Sequence, residues 1–408
     1  MPEAPDHRSA GVPERVDAPE VDATTRLPAH AIRPTRVEVS LAALADNARA
    51  VRGVAGVPLY AVVKADGYGH GALGVARALS RAGVVDGLAV SLVEEGVQLR
   101  QQGVKLPILV MGPALGGGHD ELVARDLTPV VSDLADLEAL AAVGRRRGRP
   151  VDIHLKVDTG MSRLGVPDDA VGEIVAGARA AGGVAVVGLM THLANADVDD
   201  PAAPGSMTRA QLARFGVAER AARAAGAALR VRHAANSSGA MAFPEARLDL
   251  VRVGLALYGN GHWPADDTLA APRRQVMRLV TEIVQLRDVA AGATVGYGGL
   301  WRAERPSRVA VLPLGYADGL PRRATGTAAV LIHGRRCPLV GAISMDIAIA
   351  DVTDLADHGP PAAIGDEAVL LGEQRGAHIT VAEYAGHAQL TEYEVTCGMS
   401  KRVPRIER

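Results

Sequence analysis

The chain has 408 residues, 48% of them hydrophobic and 22% charged, with 44 Lys and Arg against 46 Asp and Glu for a net charge of -2. That length implies two or three ordinary domains with ample core, and the balanced charge excludes the broad basic field that nucleic acid or an anionic membrane surface would need. The two cysteines, Cys337 and Cys397, fit no metal, redox or disulfide spacing, so a reducing cytoplasm is the expected location, and no apolar run reaches the roughly 18 residues of a membrane span.

Residues 1–32 carry scattered prolines, both signs of charge and no apolar run. They lack the apolar core of a secretory signal and read as a disordered tail. From Tyr60 onward short apolar runs alternate with segments of helical period. The runs are YAVVK (60–64), GLAVS (87–91), PILVMG (107–112), TPVVS (128–132), DIHLKVD (152–158), AVVGLMTH (185–192), RVRHAAN (230–236) and LVRVG (250–254). Between them lie helical stretches such as GALGVARALSRAG and SLVEEGVQLRQQG. In SDLADLEALAAVGRRRG, Ser132 or Asp133 is the expected N-cap and Gly148 the stop. Eight strand signals joined by helical connections predict an α/β fold, a (β/α)₈ TIM barrel over residues 33–270. An open dinucleotide-binding sheet is disfavoured, because no G-x-G-x-x-G follows the first run. Beyond residue 270, runs such as SRVAVLPLGYADG and DEAVLLG, separated by turn signals, predict a mostly antiparallel β domain over 271–408.

In a barrel of this kind the C-terminal strand ends line the site. Here they supply Lys64, Lys156, Asp158, His192, Asn236, Ser237, Arg252 and Gly254. Each has an ordinary explanation taken alone: a solvated lysine, a hydrogen-bonded histidine, a helix cap, half a salt bridge. Their convergence on one rim does not. Lys64 closes an apolar run and faces the glycine-rich loop of AVVKADGYGHG. Ser237 and Gly254 lie in the loops after strands seven and eight, where such barrels cradle phosphate on small residues and free amides. A lysine at one end and a phosphate site at the other fit pyridoxal 5'-phosphate (PLP), which forms a Schiff base with lysine. Tyr297 (VGYGG) and Tyr316 (LGYADG) are phenols on glycine-flexed loops, able to act as acid or base.

These motifs, with LKVDTGMSRLG, THLANAD, HAANSSG, DLVRVGLALYG, ISMD and the terminal KRVPR, make the chain resemble alanine racemase, a PLP-dependent family, from about Arg33 to Arg405. The resemblance implies that Lys64 carries the cofactor and serves as one catalytic base. Tyr297 of a partner subunit would be the other base. Tyr68, Ser237, Gly254 and Leu255 would hold the phosphate, with Asn236 beside them. His192 would pack on the cofactor ring and Arg252 would contact its nitrogen. Arg163 and the partner's Met345 would bind the substrate carboxylate. Tyr316, also counted among the cofactor contacts, would line the entryway with Asp197. Lys156 is a candidate for carbamylation. The implied activity is interconversion of L- and D-alanine by a homodimer, supplying D-alanine for peptidoglycan. A racemase of broader specificity and a noncatalytic PLP-binding protein are the alternatives. Two departures stand out: Lys401 where relatives often carry tyrosine, and Ala342 where arginine is common.

Overall fold

The computed structural model describes residues 32–261 and 273–408. The expected tail thus lies, except for Ile32, outside the described residues, as does the expected domain boundary at 270. In chain order the first ten strands are β1 (Arg36–Val39), β2 (Leu59–Val62), β3 (Gly87–Val90), β4 (Ile108–Val110), β5 (Thr128–Val131), β6 (Val151–Asp158), β7 (Val166–Pro167), β8 (Val184–Met190), β9 (Val231–His233) and β10 (Val251–Val253). Eight of them form one parallel sheet in the order β10-β2-β3-β4-β5-β6-β8-β9, with the short β7 pairing beside β6. The two ends meet through the Arg252 amide donating to the Ala235 carbonyl at 3.0 Å and the Asp249 amide to the Arg232 carbonyl at 3.1 Å. The result is a nearly closed eight-stranded barrel, and all eight apolar runs fall on its strands.

The connections are helical for local reasons. Ser40, Asp133 and Ser206 each accept a backbone N–H from the first turn of the helices Leu41–Ala55, Leu134–Arg147 and Met207–Ala224. Gly56 and Gly148 end the first two in the left-handed conformation. β3 and β4 are buried along their whole length, as strands covered by helices on one side and filled by side chains on the other must be.

The second domain is built on a mostly antiparallel sheet. Its strands run in the order 335–338, 329–332, 367–374, β11 (Met277–Glu282), β1 and 405–407, with 377–379 on the flank of 367–374. β1 therefore pairs outside the barrel that follows it: antiparallel to β11, and parallel to 405–407 in the one parallel pairing of this sheet. A three-stranded antiparallel sheet (285–289, 307–312, 348–351) and a two-stranded one (294–295, 301–302) belong to the same domain.

Candidate active site

A cavity of about 970 Å³ opens at the C-terminal ends of the barrel strands. Lys64, Tyr68, Lys156, Arg163, His192, Asp197, Asn236, Ser237, Arg252, Gly254 and Leu255 all line it. Tyr297, Tyr316 and Met345 do not. They stand on adjoining loops of the second domain, 72%, 42% and 51% exposed. The amides of Tyr316 and Ala317 donate to the carbonyls of Ser344 and Met345, at 3.0 Å each, which ties two of those loops together. Ala342 packs under the third, beside Gly296.

Lys64 sits two residues past β2. The chain then does something costly: Ala65, Asp66, Gly67, Tyr68 and Gly69 all take positive φ, between 51° and 79°. Left-handed backbone costs about 1–2 kcal/mol per residue bearing a Cβ, and three of these five do. The turn is held from outside. Glu95 accepts the Ala65 N–H at 2.6 Å, and Ala72 donates its N–H to Asp66 at 2.8 Å. Arg405 Nε donates to the Gly69 carbonyl at 3.0 Å.

Burial lowers the Lys64 pKa from that of an ordinary lysine, and the Arg163 charge lowers it further, against the pull of Glu95. Lys156 is 5% exposed. Burial, then Arg163 and Arg252, bring its pKa down to about 8. Arg163 is placed by a tight loop, in which Asp158 accepts the N–H groups of Gly160, Met161 and Ser162 at 2.9–3.0 Å.

Arg252 is buried, and both its terminal nitrogens are engaged. It donates to the carbonyls of Thr191 (2.9 Å) and Ala234 (3.0 Å) and to His233 Nδ1 (2.8 Å). A guanidinium only donates, so His233 Nδ1 accepts. Its Nε2 then carries the proton and donates to His154 Nδ1 at 2.8 Å. Burial, then the Arg252 charge, hold His154 at about 4 and His233 well below the usual histidine value, so both rings are neutral. Burial and the same cation depress half-buried His192 to about 3, with its Nδ1 3.4 Å from Arg252. Burial brings Arg252 itself down to about 9, which leaves it cationic at neutral pH.

At the far end of the cavity, Ser237 Oγ accepts the N–H groups of Gly254 (3.2 Å) and Ala256 (3.3 Å). Asn236 spends its side-chain oxygen capping the helix Ser237–Ala242, accepting from Gly239 at 2.9 Å. The Tyr68 hydroxyl lies over Gly254, where an added Cβ would come within 2.3 Å of it. The Ser237 hydroxyl, with its proton free because its oxygen already accepts the Gly254 and Ala256 amides, and the Tyr68 hydroxyl meet at a turn kept open because residue 254 lacks a side chain, and such a pair of donors fits a phosphate. With an amine at the other end, the residues present fit PLP.

Residues 39–262 match the family model described as alanine racemase, N-terminal domain, and residues 276–407 that of alanine racemase, C-terminal domain. The chain belongs to the alanine racemase family. The alanine racemase of Sorangium cellulosum (strain So ce56) is 46% identical over 390 residues, covering 92% of this chain and 100% of that one. The alanine racemase structure from Streptomyces coelicolor A3(2) superposes with a TM-score of 0.84 at 34% identity, covering 93% and 99% of the two chains. The alanine racemase of Bartonella henselae, whose structure is described with covalently bound pyridoxal phosphate, gives 0.79 at 28%, covering 92% and 99%. Family membership makes this an enzyme of alanine racemisation, in a family known as PLP-dependent.

Several residues at this racemase-family site were not singled out in the sequence. Tyr393, Thr391 and Glu392 reach the cavity from the second domain, and the Tyr393 ring lies 5.8 Å from that of Tyr68. Nothing in the local pattern marks them. His154 and His233 did leave a signal, a polar ring in the middle of each of two apolar strand runs. Glu95 reads locally as a helix-start residue and nothing more.

Proposed function

We propose that this protein interconverts L- and D-alanine with two bases, Lys64 of one chain and Tyr297 of its partner, in a homodimer with shared sites. Bound PLP supplies an electron sink that makes the substrate α-proton acidic. Lys64 Nζ removes that proton on one face, and the phenol of the partner subunit's Tyr297 delivers one on the other; the reverse reaction exchanges the roles. The lowering of the Lys64 pKa by burial favours the unprotonated amine that a base needs. Arg163 holds the substrate carboxylate, together with the main chain at the partner's Met345. Tyr68, Ser237, Gly254 and Leu255 hold the phosphate, with Asn236 fixing that loop as a cap. His192 packs on the ring. Arg252, cationic at neutral pH, would lie at the ring nitrogen and disfavour its protonation. Lys156 reacts with carbon dioxide to form a carbamate that pairs with Arg163. The product is D-alanine for peptidoglycan, made in the cytoplasm.

One observation carries the shared site: the cavity holding Lys64 lacks Tyr297, while Tyr297, Tyr316, Met345, Leu300 and Ile347 form an exposed, largely apolar group on the same chain. Complementation tests it. Lys64→Ala and Tyr297→Phe are each expected to be inactive. Mixed and reassociated, half the dimers are hybrids with one intact site, so about a quarter of wild-type activity returns. No recovery on mixing, with subunit exchange verified, sinks the shared site.

A further inference from the structure

We propose that His70 is a positioning residue for the cofactor phosphate, holding the left-handed turn 65–69 so that the Tyr68 hydroxyl stays over Gly254. This rests on the PLP reading above. The turn joins Lys64 at its start to Tyr68 at its end, so the backbone between them sets the distance from amine to phosphate. Its conformation is unfavourable and persists only where something outside holds it. Glu95 does so at the Ala65 end. His70 does so at the Tyr68 end. The ring is 3% exposed, and its Nδ1 lies 3.0 Å from the Gly67 carbonyl oxygen and 2.9 Å from that of Tyr68. Carbonyls only accept, so Nδ1 carries the proton and bonds both. Burial keeps the ring neutral, its pKa down at about 4.

The same ring reaches Tyr68 by a second route. It stacks on Tyr258 with centroids 4.5 Å apart, and the Tyr258 ring lies 4.9 Å from that of Tyr68. Tyr258 is itself fixed by its hydroxyl donating to the Val62 carbonyl at 3.1 Å, at the end of β2. Two features set this apart from core filling. His70 Nε2 is buried with no hydrogen-bond partner among the described residues, a cost an apolar side chain of the same size would avoid. And Nδ1 bonds two carbonyls of the strained segment itself.

The experiment titrates cofactor-free full-length protein with PLP and with unphosphorylated pyridoxal, reading absorbance of the bound species and, separately, thermal stability. Wild type is expected to prefer PLP strongly; if it binds neither, the PLP reading fails and not this inference alone. His70→Phe keeps the stack but loses the donor. It should weaken PLP about tenfold and pyridoxal little, so the preference falls. His70→Asn, whose amide nitrogen occupies the place of Nδ1, should recover most of it. His70→Gln, whose amide nitrogen reaches only toward Nε2, should not; this pair decides the matter if the Phe variant does not fold. Equal weakening of both ligands, an unchanged preference in His70→Phe, or equal behaviour of the Asn and Gln variants would overturn the proposal.

Discussion

Lys156 and Arg163 set the residue-scale problem of this site. They line the cavity together with Lys64 and Arg252, and among the described residues Lys156 has no carboxylate in hydrogen-bond contact. With its pKa near 8, about a tenth of the amine is neutral at pH 7. That neutral nitrogen can attack carbon dioxide. A new N–C bond forms as one C=O π bond of carbon dioxide opens onto oxygen, the nitrogen gives one proton to solvent besides the one lost in forming the neutral amine, and the ammonium cation has become a carbamate anion beside Arg163. The amine loses a proton as pH rises through 8, so the modified fraction should grow from pH 6 to pH 9 at constant dissolved carbon dioxide. Labelled bicarbonate should give a carbamate carbon resonance in wild type that is absent in Lys156→Gln. Stripping carbon dioxide should raise KM for alanine about tenfold, with kcat less affected, because Arg163 loses its partner. A wild-type spectrum lacking the resonance at pH 9 rules the carbamate out.

At the scale of elements, the barrel depends on helices lying close against strands. Gly144, near the end of the helix Leu134–Arg147, meets the backbone leading into β8: an added Cβ would lie 1.9 Å from the Gly183 carbonyl oxygen. The neighbour is main chain and cannot rotate away. Gly144→Ala therefore forces helix and strand apart, and we expect a loss of about 1–3 kcal/mol. Alanine is otherwise the better helix former by about 1 kcal/mol, so the sign discriminates. A melting temperature at or above wild type would show that the helix shifts freely. The left-handed turn after Lys64 is the opposite case, a short element that local preference opposes and its surroundings impose.

At the scale of the whole molecule, β1 ties the chain together. It leaves for the second domain before the barrel begins, and it alone pairs with the last strand, 405–407, among the described residues. Glu38 on β1 is 2% exposed, accepts from Arg36 (2.8 Å) and Arg278 of β11 (2.8 Å), and forms an ion pair with Arg408 (2.9 Å). Three cations around one buried carboxylate make its removal asymmetric, since the guanidinium groups are left facing each other. Glu38→Ala should cost about 3–5 kcal/mol, seen as a lowered thermal midpoint that falls equally with and without cofactor. A midpoint within a degree of wild type would show that the arginines find other partners.

The sequence by itself determined the alternation of eight apolar runs with amphipathic segments, and hence the barrel, because strand and helix periods are local properties. It also marked the polar strand ends at the rim: Lys64, Lys156, His192, Asn236, Ser237, Arg252 and Gly254 line one cavity, while Asp158, expected with them, does not and instead holds the loop that carries Arg163. Tertiary structure alone decided the rest. The Arg252–His233–His154 chain joins three strands across the barrel interior, over separations of 19 and 79 residues. β1 joins the far sheet through partners more than 230 residues away. Tyr393 enters the cavity, and Tyr297, Tyr316 and Met345 stand outside it. Neither helical nor strand period encodes such contacts, because they depend on which distant surfaces bury against each other once the local elements exist. The positive φ of Ala65, Asp66 and Tyr68 runs against local preference outright. It survives because the hydrogen bonds and packing of the folded chain outweigh the steric cost.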